Sequence, residues 1–166
     1  MAQILFQLPA RLTGDGLPGP TPFAALTSRL IHVFPVERTA HAAESPVPTR
    51  PGTRIGIVPL GYGDGIARMH TDTVLVRGRR MPIVRPSSIE YTRIDLSDCP
   101  DAQVGDEVAF VGRQGDDRIT PEEVMRHHGV RRVTDLVLPL GPAVPRDYLP
   151  WQHRAPASSP STETAA

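Results

Sequence analysis

The loop Gly61-Tyr62-Gly63-Asp64-Gly65 is the first place in this chain where residue types and spacing could do chemistry. A tyrosine between glycines can be held exposed by backbone angles that other residues avoid, and its hydroxyl both donates and accepts a proton. The same five residues read equally as a turn whose Tyr62 packs on a rim, and both readings stay open. Asp64 reads first as a turn cap, because an Asp side chain readily bonds its own backbone in such turns; a role as an acid is second. Glu90, Tyr91 and Arg93 form a further group. On an alternating strand Glu90 and Thr92 share one face and Tyr91 and Arg93 the other. With the Tyr91 face inward, a Tyr–Arg pair would orient an anionic or carbonyl ligand. With it outward, cross-strand packing of the tyrosine accounts for the pair, and that is the simpler reading.

Other chemistry is excluded by residue type. All 18 basic residues are arginine, so the chain contains no lysine. A Schiff base to a carbonyl cofactor such as pyridoxal phosphate needs a lysine amine. Arginine cannot replace it, because its guanidinium stays protonated. Neighbouring helical residues diverge by about 100°, so His127-His128 is not a chelating pair, and no metal is expected. No phosphate-binding loop, dinucleotide fingerprint or nucleophile elbow is present. Net charge is zero over 166 residues, which gives no broad electrostatic grip on nucleic acid or an anionic membrane. No apolar run approaches the ~20 residues of a membrane span, and the N-terminus lacks the basic start of a signal peptide. The single Cys99 cannot form an internal disulfide and fits a reducing, cytoplasmic setting.

The elements that would position these residues are mostly short strands between turn signals. Runs at 28–36, 54–60, 73–78, 79–84, 90–97 and 106–112 alternate or are continuously apolar, and Arg77-Gly78-Arg79 reads as a hairpin turn. Thr120-Pro121-Glu122-Glu123 is a helix start with proline at its first position, and Gly129 ends that helix as a left-handed cap. Residues 132–140 are ambiguous between strand and short helix. Residues 1–22 read as an N-terminal arm or loop with at most a weak strand at 4–8, 23–150 as the folded domain, and 151–166 as a disordered tail lacking apolar content. Many short strands at close spacing imply a barrel or sandwich.

Five segments, in order over about 120 residues, carry a resemblance. They are SRLIHVFPV (28–36), RIGIVPLGYGDG (54–65), GRRMPIV (78–84), VGDEVAFVGRQGDDRITPEEV (104–124) and VPRDY (144–148). Together the chain resembles the C-terminal β-domain of alanine racemases. The resemblance implies a mainly all-β fold, a Greek-key-type closed β-barrel with one or two short helices. It also implies that the family's (β/α)8 barrel, with its cofactor lysine, has no counterpart here. In the family this domain completes the other subunit's site, chiefly with a tyrosine about 19 residues before the loop tyrosine. That position falls at Ala43 or Glu44, and no tyrosine precedes Tyr62. The family's Gly-Arg-x-x-Met-Asp-Gln turn is Arg85-Pro86-Ser87-Ser88-Ile89-Glu90-Tyr91, and its phosphate-reaching tyrosine is Pro142. Of the residues that line the family's site, Tyr62 persists with Asp64 beside it. His41 and Glu44, near the lost tyrosine, could form an acid–base pair, but exposure without a role is the simpler reading.

The expectation is therefore a domain without cofactor or metal and without racemase chemistry of its own. It would be a repurposed pocket for a small-molecule ligand, doing acid–base or shape-assisted isomerisation or cyclisation in a biosynthetic pathway. Tyr62 and Tyr91 would be its catalytic residues, and Arg93, Glu90 and Asp64 would hold substrate. The alternative is a non-catalytic binding or dimerisation module, and in either case a homodimer is expected because the family's domain buries a large surface against its partner.

Overall fold

The computed structural model describes residues 3–7, 23–37 and 50–149. The expected tail, most of the expected arm, and His41 and Glu44 lie outside the described residues. Ten strands and two short helices follow in chain order. They are β1 (Gln3–Gln7), β2 (Phe23–Arg29), β3 (His32–Pro35), β4 (Arg54–Val58), β5 (Thr73–Val76), β6 (Arg79–Val84), β7 (Thr92–Asp95), β8 (Glu107–Gln114), β9 (Asp117–Ile119), α1 (Pro121–His128), α2 (Thr134–Val137) and β10 (Arg146–Leu149). The fold is mainly β, as expected.

Turn chemistry sets several of these boundaries. Arg77 and Gly78 both adopt positive φ (51° and 75°) between β5 and β6. Positive φ at both central positions is the geometry of the two-residue hairpin turn whose twist matches the flanking strands. Val76 accordingly pairs with Arg79. Thr120 caps α1 by accepting from the Glu123 N–H at 3.1 Å, and Gly129 closes it at φ 65°. The ambiguous segment at 132–140 resolves into α2. The single run read at 28–36 divides at Leu30 and Ile31. The Leu30 N–H donates to Asp106 O and the Ile31 N–H to Ile57 O, so the chain leaves the β8 side and joins the β4 side there.

All strands belong to one sheet in the order β10-β1-β2-β8-β5-β6-β7-β4-β3, with β9 attached to β8. Within it, β5, β6 and β7 are sequential antiparallel neighbours and β8 returns beside β5, which is a Greek-key order. The expected closure does not hold. A closed barrel needs its first and last strands paired, but β10 and β3 end the path unpaired to each other. Because β2 borders β8 while the next strand, β3, borders β4, the run β8-β5-β6-β7-β4 must bend back on itself. The sheet therefore wraps a core without sealing it. That core is filled: Leu26, Leu75, Ile83, Ile94, Leu96 and Phe110 are all fully buried. At Gly56 a Cβ would lie 2.7 Å from Leu30 and 2.8 Å from Leu96, which shows how closely the layers meet. No helix among the described residues is long and apolar enough to cross a membrane.

Candidate functional site

The Tyr62 loop leaves the end of β4 as two consecutive 3-10 turns, Tyr62–Asp64 and Ile66–Arg68. Asp64 caps it: Oδ2 accepts from the Gly61 N–H at 2.8 Å. The Tyr62 N–H donates to Ser88 O (3.0 Å) and the Gly63 N–H to Ile89 O (2.9 Å), so the loop is joined to the segment before β7. On its other side the Gly141 N–H donates to Asp64 O. Glycine is required by space here. A Cβ on Gly61 would sit 2.2 Å from Ile89 O, and one on Gly65, itself at φ +84°, would sit 1.9 Å from Pro139 O. Below the loop, the buried Thr92 hydroxyl donates to Leu60 O at 2.6 Å. The loop is thus held by backbone contacts on two sides, and Tyr62 is left 51% exposed.

Tyr62 opens onto a cavity of about 350 Å³ that it lines with Ala67, His70, Arg85, Pro86 and Ser87. The cavity lies among loops, outside the packed core. His70 is only 5% exposed. Its Nδ1 accepts from the Asp72 N–H at 3.3 Å, and its carbonyl accepts from His128 Nε2 at 2.8 Å. An Nδ1 that accepts leaves the proton of a neutral imidazole on Nε2. Burial first, and then the positive charge of Arg85 with those of His128 and His127, pushes His70 down from 6.5 to about 4. Burial is also the first cause holding His128 below the usual histidine range, opposed by its bond to the His70 carbonyl. Arg85 pairs with Asp72 Oδ1, while Asp72 Oδ2 lies 3.4 Å from His127 Nε2. Asp72, at φ +67°, therefore links the Arg85 side of the cavity to the C-terminal turn of α1.

The other residues singled out from the sequence lie around this cavity rather than in it. Within β7, Thr92 and Ile94 face the core, while Arg93 lies half-buried on the opposite side. The Arg93 guanidinium donates to Pro86 O at 2.8 Å, so it steadies the segment that carries Ser87. Tyr91 and Glu90 are exposed next to it. Asp64 serves the loop's own geometry. His70, Arg85 and Ser87 carry no local signal that marks them as a site; only the break MHTDT before β5 and the Arg85-Pro86 step mark their loops. Among the described residues, no group of three His, Cys, Asp or Glu is placed to hold a metal.

A family model described as alanine racemase, C-terminal domain, matches residues 24–148. The chain is similar to an alanine racemase of Geobacillus kaustophilus, 36% identical over 128 residues that cover 75% of this chain and 32% of the relative. It is similar to a catabolic alanine racemase of Pseudomonas putida, 35% identical over 132 residues that cover 77% of this chain and 35% of the relative. Its fold is similar to that of the biosynthetic alanine racemase of Pseudomonas aeruginosa. That match has a TM-score of 0.63 at 33% identity and covers 78% of this chain and 36% of that structure. The chain spans about a third of the length of the curated relatives it matches.

Proposed function

The chain belongs to the alanine racemase C-terminal domain family, and from that premise we propose that it binds a small molecule at the Tyr62 cleft and performs no racemase chemistry with its own residues. The observation that carries this is the cavity: Tyr62, the family-type loop tyrosine, shares one space with His70, Arg85 and Ser87. A cleft of this size is at the small end of ligand pockets, and a few convergent polar groups among apolar surface are what such pockets contain. The reaction class that fits these residues is proton transfer or shape-assisted isomerisation or cyclisation, with the Tyr62 hydroxyl donating to a substrate oxygen.

The family's cofactor does not fit this donor set. No lysine exists to form the Schiff base, and Ala43 and Glu44 stand where the family's catalytic tyrosine would be. Incubation with pyridoxal phosphate followed by borohydride should leave every side chain unmodified, with the α-amine of Met1 blocked as a control. A reduced adduct on any side chain would overturn this part of the reading. The positive part is tested by soaking a panel of small carbonyl compounds and reading Tyr62 ring signals by NMR. Binding should move those signals and weaken in Tyr62→Phe, while the fold persists. A panel that never moves them refutes the cleft.

One observation favours a second reading, a docking module. Tyr62, Ile89, Tyr91 and the 80% exposed Leu138 are among the large apolar side chains left in solvent, and the backbones of the 61–65, 88–89 and 139–141 loops that carry or adjoin them are in contact. A soluble monomer seldom exposes a large continuous apolar patch. Here the occupant would be a second copy of the chain. Sedimentation showing concentration-dependent dimers, lost in Leu138→Glu and Ile89→Glu, together with a silent Tyr62 panel, would transfer the assignment to this reading.

A further inference from the structure

We propose that the contact between the His70–Asp72 turn and the C-terminal turn of α1 is an acid-opened latch, shut while His70 is neutral and released when His70 takes up a proton. His70 is also a wall of the Tyr62 cavity, so the same step reshapes that opening. The latch stands whether or not the cavity binds a ligand.

The first ground is hydrogen-bond geometry. The Asp72 N–H donates to His70 Nδ1. A proton on Nδ1 turns that acceptor into a donor, and two N–H groups then face each other. The His70 carbonyl accepts from His128 Nε2, and the two rings meet edge to face with centroids 6.0 Å apart. The charged and titratable groups around His70 come from three segments. Tyr62, Arg68 and Asp72 lie on its own connection, Arg85 on the connection from β6 to β7, and His127 and His128 on α1. Asp72 is the carboxylate of this cluster, and its oxygens are already turned to Arg85 and His127. A proton on His70 therefore adds a buried positive charge beside Arg85, and an unneutralised buried charge is costly. Protonating His127 instead tightens its 3.4 Å pair with Asp72, so the trigger is His70.

The second ground is what gives way. The helix α1 has eight residues, and a helix of that length is marginal without tertiary support. Pro121 and Val124, in its first half, are its buried residues, while Arg126 and His127 are exposed. Polar tethers to His70 O and Asp72 hold its C-terminal end. By contrast, β8 is paired on both sides, by β2 and β5, and Val108, Ala109, Phe110 and Val111 are fully buried. Segments with few buried apolar contacts open at lower free energy than the core, so the cost of the proton falls on the latch first. In the shut form burial, and then the neighbouring cations, lower His70 from 6.5 to about 4. Opening returns it to solvent, so acid favours the open form as the pH falls from 6.5 toward 4. Those two values make the opening equilibrium grow about 20-fold between pH 7 and 5. His128, held low by burial first, adds in the same direction.

The test follows hydrogen exchange of the full chain by NMR at pH 7, 6 and 5, with each amide corrected for its intrinsic exchange rate. The Asp72 amide reports the turn, and the Gly129 and Val130 amides, which close the end of α1 on Arg126 O and Met125 O, report the helix. The amides of β8 report global unfolding. The latch amides should exchange faster than those of β8 at every pH, and their opening should rise about 20-fold from pH 7 to 5. His70→Asn keeps an acceptor for the Asp72 N–H but does not titrate, and should abolish most of that rise. His127→Gln should retain it. Far-UV circular dichroism at pH 7 checks that each variant is folded, and His70→Gln serves as a second non-titrating variant. The proposal is overturned if the latch amides exchange at the β8 rate at every pH. It is equally overturned if their opening is unchanged between pH 7 and 5, or if the rise survives in the non-titrating variants.

Discussion

His70 folds as a buried, neutral imidazole among cations. Its pKa is about 4 in the folded protein, against 6.5 when free of these neighbours. The unfolded chain therefore binds more protons than the folded one between those two values. Stability from this residue is complete above pH 6.5 and is lost as the pH falls from there toward 4. Working the linkage through gives a loss of about 2 kcal/mol by pH 5 and about 3 kcal/mol by pH 4. Asp72, Arg85, His127 and His128 are the charged or titratable groups facing it, and His128 adds a smaller loss of the same sign. His70→Asn isolates the term, because its amide oxygen can still accept the Asp72 N–H but does not titrate. Urea unfolding followed by far-UV circular dichroism at pH 7, 6, 5 and 4 should show the parent losing about 3 kcal/mol more than His70→Asn between pH 7 and 4. That corresponds to roughly 10 °C in Tm at the lower pH. Stability curves that run parallel within about 0.5 kcal/mol would refute the buried neutral imidazole.

Two further predictions concern how the site is built. Gly65→Ala should destabilise the protein by more than about 3 kcal/mol, because it strains a positive φ and drives a methyl group into Pro139 O; a melt within a few degrees of the parent would contradict the loop geometry. Thr92→Val should cost about 1–3 kcal/mol by leaving Leu60 O without its buried donor, measured by chemical denaturation, with an unchanged transition counting against that bond.

The sequence by itself determined what is decided by residue type and by neighbours a few positions apart. The absence of lysine removes Schiff-base chemistry from these residues in any fold. Arg77-Gly78 made a hairpin because the turn's positive φ values are local, and Thr120 through Gly129 made a capped helix for the same reason. Alternation put Tyr91 and Arg93 on one face of a strand expected from residue 90, but β7 begins at Thr92, so Glu90 and Tyr91 precede it; nor could alternation say which face turns inward. That was decided by the core, which took Thr92 and Ile94 because the Thr92 hydroxyl could be satisfied by Leu60 O. Only the tertiary structure could decide closure. Whether β3 and β10 meet depends on pairings between distant strands, and a two-residue break at Leu30 and Ile31 redirected the chain before closure. The candidate site was decided at the same level. Tyr62 and His70 lie on the connection from β4 to β5, and Arg85 and Ser87 on the connection from β6 to β7; they share one cavity because the register of β4 on β7 and of β5 on β6 brings those two connections to the same place.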